Sequence, residues 1–582
     1  MRSEFPGGPL YRAPVFSSIP DMLATAAERC SDKTFVTEPT PNETWRSVSF
    51  GEMAERVDAL ARAMLTAEER PVVGVVGGNS IDWYTVYLAA MRSGGVVVPI
   101  DRHLSIAEMH TILHYSGANM FFFDEDYEEE ILQHVGDSGR KCRMYVMNAT
   151  GCTDSGQLSD LVRRGAEADV RLPPSYDRDK PAAICYTSGT MGQAKGVVLT
   201  QSNLLSDVHQ TLQYLDLRSE DVFLSVLPVH HTFEGTGGFL TPLARCAEIV
   251  VCRGLRYVAE DLVESQATVM LGVPLLWEAM YKRIRAGIKS QRGGGIYYRV
   301  GMLISAAAEK LAGKNIRKKV FAPVHEKLGG RARMLVSGGA GIDPEVVAGY
   351  EKLGFQFIQG YGLTECSPIV SVNRDVANRV GSVGPLLSKM EGRIEAPDEE
   401  GVGELLVRGP NVMKGYHENP EATAEVLSED GWFRTGDFGY IDGDGFLFIT
   451  GRKKNVIVAK NGKNVYPEEI ETLLNRSDLL TESMVFGMES EAKGEEIWAI
   501  LVPDLDRLIE RAEEAGERVE PSRVLETMRG VVRDYNASQP QYRRIRNFMV
   551  REEELPKTTT RKIRRREVMR EAGLEREPVY TP

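Results

Sequence analysis

Residues 186–196 read YTSGTMGQAKG. They close an apolar run, PAAICYTSG (181–189), which reads as a buried strand. Small hydroxyl and glycine residues follow, then a single lysine. Backbone N–H groups crowd round an anion only where side chains are absent, and hydroxyls with an ammonium add donors and charge. The reading is therefore a phosphate loop at the end of a strand. It is not the G-x-x-x-x-G-K-[ST] pattern, because Ala194 precedes Lys195, Gly196 follows it, and the hydroxyls of Thr187, Ser188 and Thr190 lie upstream. Taken alone, the stretch also reads as a plain glycine-rich hairpin carrying a surface lysine.

Outward from this loop, short β-branched runs alternate with longer helical patterns. PVVGVVGG (71–78), GGVVVPI (94–100) and MFFFD (120–124) read as buried strands, and SIDWYTVYLAAMRSG as a helix ending in glycine. DVFLSVLP, AEIVVC, ATVMLGVP, RMLVSGG and FQFIQGYG continue the series. Strands ending in glycine and followed by helices predict an α/β fold with parallel-rich sheets and flanking helices. Ligands in such sheets sit outside the carboxyl ends of the strands. The glycine loops at 187–196, 337–341 and 359–362 fall at such ends, so they are expected to converge on one crevice. Near 450 the texture changes to fewer glycines, more charge and shorter elements. The expected division is a large N-terminal domain over 1–450, a hinge at 451–454 within the polar GRKKN, and a small mobile α+β lid over 455–582.

Bulk properties narrow the classes. A chain of 582 residues is too long for one core. A net charge of −13 argues against nucleic-acid binding, so an anionic ligand needs local basic sites. Seven cysteines with no C-x-x-C pair predict reduced thiols in a cytoplasmic protein. The opening MRSEFPGGPLYRAPVF has no apolar h-region, so no signal peptide is expected, and no stretch of ~18 apolar residues predicts a membrane span. Peripheral membrane contact stays compatible with the sequence, which specifies no oligomeric state. The acidic run DEDYEEE (124–130) reads as a solvated face.

Two further stations bear on chemistry. QGYGLTECSP (359–368) groups Tyr361, Thr364 and Glu365: an aromatic face for a base, a hydroxyl for a phosphate and a carboxylate for Mg²⁺. GWFRTGDFGYIDGDG (431–445) puts Asp437 after a glycine, where a carboxylate accepts from ribose hydroxyls or simply forms a turn.

In order, YTSGTMGQAKGV, YGLTE, RTGD, GRKK and PKTTTRKIRRREV resemble the signatures of the adenylate-forming superfamily of acyl-CoA synthetases, luciferases and peptide-synthetase adenylation domains. LPVHHTFE, VMLGVPLLWEAMYKRI and GRKKNVIVAKNGKNVYPEEIE are most similar to bacterial long-chain-type fatty acid–CoA ligases. The resemblance implies a fatty acid, ATP and coenzyme A as substrates and Mg²⁺ as cofactor. It implies that Thr187, Ser188, Gly189, Thr190, Gly192 and Lys195 hold the β- and γ-phosphates. Gly339, Ala340 and Tyr361 would frame adenine, and Thr364 would touch the α-phosphate. Glu365 with Thr187 would hold Mg²⁺, and Asp437 with Arg452 the ribose. His231 would stand beside the acyl carboxylate, with His230 packing. Lys454 is the hinge position, Gly462 lies on the coenzyme A path, and Lys562 is the catalytic lysine reaching the α-phosphate and the carboxylate. Basic residues at 561–566 would meet coenzyme A phosphates or form a solvated face.

Met191 and Arg561 depart from the family pattern, replacing a threonine and a glycine. No aromatic gate is assigned in Thr232–Gly235, and Glu234 is the one carboxylate of a stretch otherwise apolar and small. A charged Glu234 in an acyl tunnel would repel a fatty acid. The alternatives are an acyl-AMP ligase that loads a carrier protein and an inactive nucleotide-binding regulator.

Overall fold

Five-residue runs such as Val72–Val76 are too short to bury a helical stripe, and their β-branched residues suit a pleated sheet covered on both faces. The computed structural model describes residues 8–42, 44–135, 142–151, 153–187, 194–290, 294–312, 315–459, 462–489, 495–514, 516, 520–558 and 561–574. Two eight-stranded sheets dominate it. In the first, Val96–Ile100, Val72–Val76, Met120–Asp124 and Arg143–Met147 run parallel, and Pro181–Thr187 joins Val96–Ile100 in the same sense. The second runs parallel from Gln356–Gly362 through Met334–Ser337, Val269–Gly272, Val222–Ser225 and Glu248–Val251 to Thr34–Pro39.

The helix Ile81–Arg92 is buried on every side from Ile81 to Met91. A helix apolar all round belongs between layers. It lies in one continuous core with Val73 and Val97 of the first sheet and Phe223, Ile249 and Val269 of the second. Tyr84 stacks on Phe239 with ring centroids 4.4 Å apart, which ties this helix to the segment after His231.

Three expectations are corrected. The 187–196 stretch leads into a strand, not a helix: Lys195–Thr200 returns antiparallel against Pro181–Thr187, with Thr187 opposite Lys195. Residues 359–362 are themselves strand, and Gly360–Gly362 pair antiparallel with Ile369–Val372. The acidic run is not simply solvated. Asp124 accepts from the Gly78 amide (2.7 Å) and the Asn148 side chain (2.9 Å), and burial pushes its carboxyl up to about 6.

A third, wholly antiparallel sheet follows, made by Glu391–Glu395, Gly403–Arg408, Phe433–Ile441 and Leu447–Arg452. Its last strand ends at Arg452, and a 3₁₀ turn, Lys453–Asn455, carries the chain onward. Beyond it, Leu480–Glu489, Glu495–Pro503 and Asn547–Val550 form a three-stranded sheet packed by Pro467–Leu474 and Pro521–Ala537 around a core of its own. Elements there are not shorter, as expected from sequence: Leu480–Glu489 has ten residues and Pro521–Ala537 has seventeen. Among the described residues no helix is long and apolar enough to cross a membrane.

The segment carrying Lys562 is fixed by charge. Arg565 makes two hydrogen bonds to the Glu471 carboxylate (2.6 and 2.7 Å) and donates to the Val485 carbonyl. Its guanidinium is thus committed inside the protein rather than to a coenzyme phosphate. Glu471→Leu leaves that largely buried cation with only Glu468, 3.7 Å away, and the full loss of a buried pair, about 3–5 kcal/mol, is the upper bound. Urea unfolding is expected to show a loss up to that size; unchanged stability would mean that Arg565 swings out to water.

Candidate active site

Lys195 starts the strand after the phosphate loop, so its backbone is fixed by the Thr187 pairing. Its ammonium lies 4.9 Å from the centroid of the Tyr416 ring. Tyr416 donates its hydroxyl to Oε1 of Glu365 (3.0 Å), and the Met413 amide donates to the Glu365 carbonyl (2.8 Å). Tyr416 thus joins the lysine of one motif to the carboxylate of another. It sits on Gly415–Tyr416, a two-residue edge strand paired with Val197–Val198. Ser188, Gly189, Thr190, Met191 and Gly192 lie outside the described residues.

Thr364, Glu365 and Cys366 form a 3₁₀ turn just after the strand bearing Tyr361. Cys366 is fully buried, and burial raises its thiol well above the ordinary range, which keeps it unreactive. The six described cysteines are free thiols.

Asp437 and Arg452 are direct cross-strand partners in the third sheet, with Nε 3.1 Å from Oδ1. The preceding Gly436 has φ 68°, a left-handed turn that glycine adopts without strain. Oδ2 of Asp437 accepts from the Tyr361 hydroxyl at 2.7 Å. The carboxyl is 3% exposed, and loss of water pushes its pKa up against the pull of Arg452. Tyr361 and Asp437, 76 residues apart, thus form one unit.

Lys562 reaches this unit from the C-terminal part. Lys557 pairs with Ile563 across a tight turn in which Thr558 donates to the Lys562 carbonyl (2.8 Å) and Arg561 to the Thr558 carbonyl (2.8 Å). Arg561 holds φ 61°, a left-handed conformation that costs a non-glycine residue about 1 kcal/mol. The base of the turn is anchored by Lys557, 3.0 Å from the buried Glu482 carboxylate. Next to that base the Lys562 Cε lies 3.9 Å from where a Cβ on Gly339 would be. Burial lowers the Lys562 ammonium to about 8, with Arg452 pushing the same way and Asp437 and Glu365 opposing. Lys562 therefore lies beside the 337–341 loop and within electrostatic reach of Asp437, Arg452 and Glu365. Gly339, with φ 84°, and Ala340 are exposed in that loop.

His231 lies near Lys562, and burial, then that ammonium, lowers it to about 3. Its Nδ1 accepts from the Phe233 amide (3.3 Å), so in the neutral ring the proton sits on Nε2 as a donor. His230 instead faces Asp101, at 3.7 Å. The Phe233 ring lies flush on Gly338, where an added Cβ would come within 2.9 Å of it. Glu234 opens a buried π-helical segment, Phe233–Leu240. It accepts from Ser225 (2.6 Å), and burial pushes its carboxyl up to about 8, so near pH 7 it is largely neutral. Burial thus works against the charge by which Glu234 would repel an acyl carboxylate.

Lys454 lies inside the 453–455 turn. Lys453 on one side is 2.9 Å from Glu404 of the third sheet, and Asn455 on the other donates to Glu468 (2.6 Å) beyond the turn. Gly462, φ 78°, closes the hairpin turn between Ile457–Val458 and Asn464–Val465, with nothing within 4 Å of an added Cβ.

Sequence reasoning missed Tyr416 and the Phe233–Gly338 contact. The first had a weak signal, an aromatic after glycine in MKGYHENP (413–420), but a two-residue strand leaves no period to read.

The AMP-binding enzyme family matches residues 23–417, and the AMP-binding enzyme C-terminal domain matches residues 454–581. A long-chain-fatty-acid–CoA ligase of Mycobacterium bovis is 31% identical, covering 76% of this chain and 76% of its own. A chloroplastic long-chain-fatty-acid–[acyl-carrier-protein] ligase of Arabidopsis thaliana is 26% identical over 91% of this chain and 81% of its own. ATP-bound MatB of Rhodopseudomonas palustris shares the fold with a TM-score of 0.73, at 24% identity over 97% of this chain and 100% of that one. The chain belongs to the AMP-binding enzyme family and is an AMP-forming acid–thiol ligase.

Proposed function

We propose that the chain is an ATP-dependent fatty acid–CoA ligase acting on medium- or long-chain acids in the cytoplasm, with residues 1–450 as the ATP- and acyl-binding domain and 455–582 as a lid turning about Lys454. The observation that carries this reading is that Lys562 lies within electrostatic reach of Asp437, Arg452 and Glu365. A cation there stabilises charge that develops at the α-phosphate, and two anions, acid and nucleotide, need it to approach.

The residues take roles accordingly. Lys195 holds the terminal phosphates together with Ser188, Gly189, Thr190 and Gly192. Thr364 bonds the α-phosphate, Tyr361 with Gly339 and Ala340 borders adenine, and Asp437 with Arg452 holds the ribose. His231, neutral with its proton on Nε2, donates to the acyl carboxylate. That carboxylate is its own nucleophile: its oxygen bonds to the α-phosphorus as the bond to pyrophosphate breaks. The coenzyme A sulfur then bonds to the acyl carbon as AMP leaves with the electron pair. No protein nucleophile is required, which agrees with the buried, inert Cys366. In the second step Lys562 gives way to the hairpin at Gly462, whose open surroundings suit a passing pantetheine arm.

Glu365 and Thr187 offer hard oxygens, and one hydrogen bond from Tyr416 leaves a carboxylate with lone pairs to spare, so these residues fit Mg²⁺. When bound it supplies positive charge to the phosphate oxygens. Among the described residues no group of three acidic, histidine or cysteine side chains forms a cage, which suits an ion held largely by substrate phosphates.

The acid class rests on the buried Phe233–Leu240 segment, apolar or small except for a carboxyl that is neutral at pH 7. Each buried CH₂ contributes about 0.8 kcal/mol, so kcat/KM is expected to rise from acetate to acids of eight carbons or more. Thioester formation across straight-chain acids tests this, and a maximum at acetate or benzoate would overturn it. The Arabidopsis relative's name favours a second reading, loading of a carrier protein. Parallel assays with free coenzyme A and holo carrier protein separate the two.

Lys562 acts as a cation, so kcat/KM for acyl-AMP formation is expected to fall as pH rises through about 8. Lys562→Arg stays charged and should lose that alkaline limb; an unchanged limb would assign it to another group. Lys562→Ala is expected to lower acyl-AMP formation by roughly two decades while supplied acyl-AMP still becomes thioester. Equal losses in both steps would remove Lys562 from its role.

Tyr416→Phe deletes the bond to Glu365 and keeps the ring beside Lys195. A hydrogen bond to a charged group contributes about 1.5 kcal/mol or more, so the Mg²⁺ needed for half-maximal rate should rise about ten-fold. An unaltered Mg²⁺ titration would show that Tyr416 does not orient Glu365.

A further inference from the structure

Residues 274–333 carry fourteen lysines and arginines against three glutamates, a net +11, while the whole chain is −13. The rest of the molecule is therefore −24. This basic segment contains the helices Pro274–Ser290 and Gly294–Ala312, which pack as a hairpin. In the second helix Gly294, Gly301 and Ser305 face inward, with Tyr298 and Met302 against the core of the second sheet. The opposite face is apolar and uncovered. Ile296, Val300, Leu303, Ile304 and Leu311 fall within about 100° of the helix circumference and extend over ~22 Å. Ile296, Leu303 and Leu311 are 69%, 71% and 85% exposed. Arg299 and Lys310 border one edge of the stripe on the helical wheel, and Arg283, Lys289, Lys318 and Lys319 are exposed nearby in the segment.

We propose that this hairpin docks on an anionic lipid bilayer, with the stripe in the headgroup–acyl boundary and the cations among the lipid phosphates. An apolar stripe bordered by Lys and Arg is the pattern of a helix lying in a membrane interface. Protein interfaces are instead depleted in lysine. A second copy of the chain meeting this face symmetrically would bring two +11 segments together. The hairpin is also rooted at the site. Trp277 of its first helix donates to the Val336 carbonyl (3.2 Å), and Glu278 accepts from the Asp343 amide (3.4 Å), on either side of the Gly339 loop. The fatty-acid reading gives this docking its purpose, since long-chain acids partition into bilayers; the docking itself is measured without substrate.

The test is flotation of the full chain with phosphatidylcholine vesicles, with and without phosphatidylglycerol, in the absence of ATP and acid. The wild type is expected to float with the anionic vesicles, less so at high salt. The exposed double variant Leu303→Glu/Ile304→Glu is expected to bind at least ten-fold more weakly. Lys318→Glu/Lys319→Glu is expected to lose the preference for phosphatidylglycerol. Both variants should keep wild-type thioester formation on octanoate in buffer, which shows that they fold. Failure of the wild type to float, or equal flotation of wild type and variants, overturns the proposal. So does a wild-type dimer in light scattering that Leu303→Glu/Ile304→Glu dissociates, or binding to an acidic carrier protein in place of vesicles. Loss of octanoate activity in every form would instead count against the ligase reading and leave the flotation result standing.

Discussion

Asp437 is a carboxylate kept almost wholly out of water, and the crevice is organised around that fact. A buried carboxylate needs a cation and a donor, and it has Arg452 across the strand and the Tyr361 hydroxyl from another sheet. Satisfying it locks the antiparallel third sheet to the parallel second sheet. It also fixes where the last strand of the third sheet ends, one residue before the 453–455 turn. Burial lowers the ammonium of Lys562, which arrives from beyond that turn, and the same charges act on it. One desolvated group therefore links the second and third sheets, the junction between the two parts of the chain, and the surroundings of Lys562.

Lys453 is bound on one side by Glu404 and Asn455 on the other by Glu468, both through partly exposed polar contacts. Such contacts contribute little individually in water, so they define a position without freezing it. The lysine loop has firmer footing within its own part, in the Lys557–Glu482 and Arg565–Glu471 pairs. Under the proposed function, rigid presentation on a soft tether suits a group that enters for one step and leaves for the next.

Much of this was legible in the sequence, and the reasons are local. The strands at 72–76 and 96–100 announce themselves by β-branched runs, and that at 120–124 by its phenylalanines. The turn expected at Gly436 is instead a left-handed position inside the strand Phe433–Ile441. The course of the chain after Thr187 was not legible, because a strand followed by glycines leads equally into a helix or back along itself. Tyr416 was hidden for a different reason: its function comes from meeting Glu365 and Lys195, far away in the chain. Glu234 was read as a charge because its residue type says so. Burial raises its carboxyl against the pull of the Ser225 hydrogen bond, and no pattern encodes that burial. The fixed role of Arg565 likewise depends on Glu471 being buried opposite it.

The central claim is that the crevice, with Lys562 already among Asp437, Arg452 and Glu365, is arranged to join an acid to AMP before any thiol is present. Exchange of labelled pyrophosphate into ATP measures that step in reverse and needs no coenzyme A. The account predicts exchange that depends on added fatty acid and proceeds without coenzyme A. Exchange that appears only once coenzyme A is supplied, or that ignores the acid altogether, would contradict it.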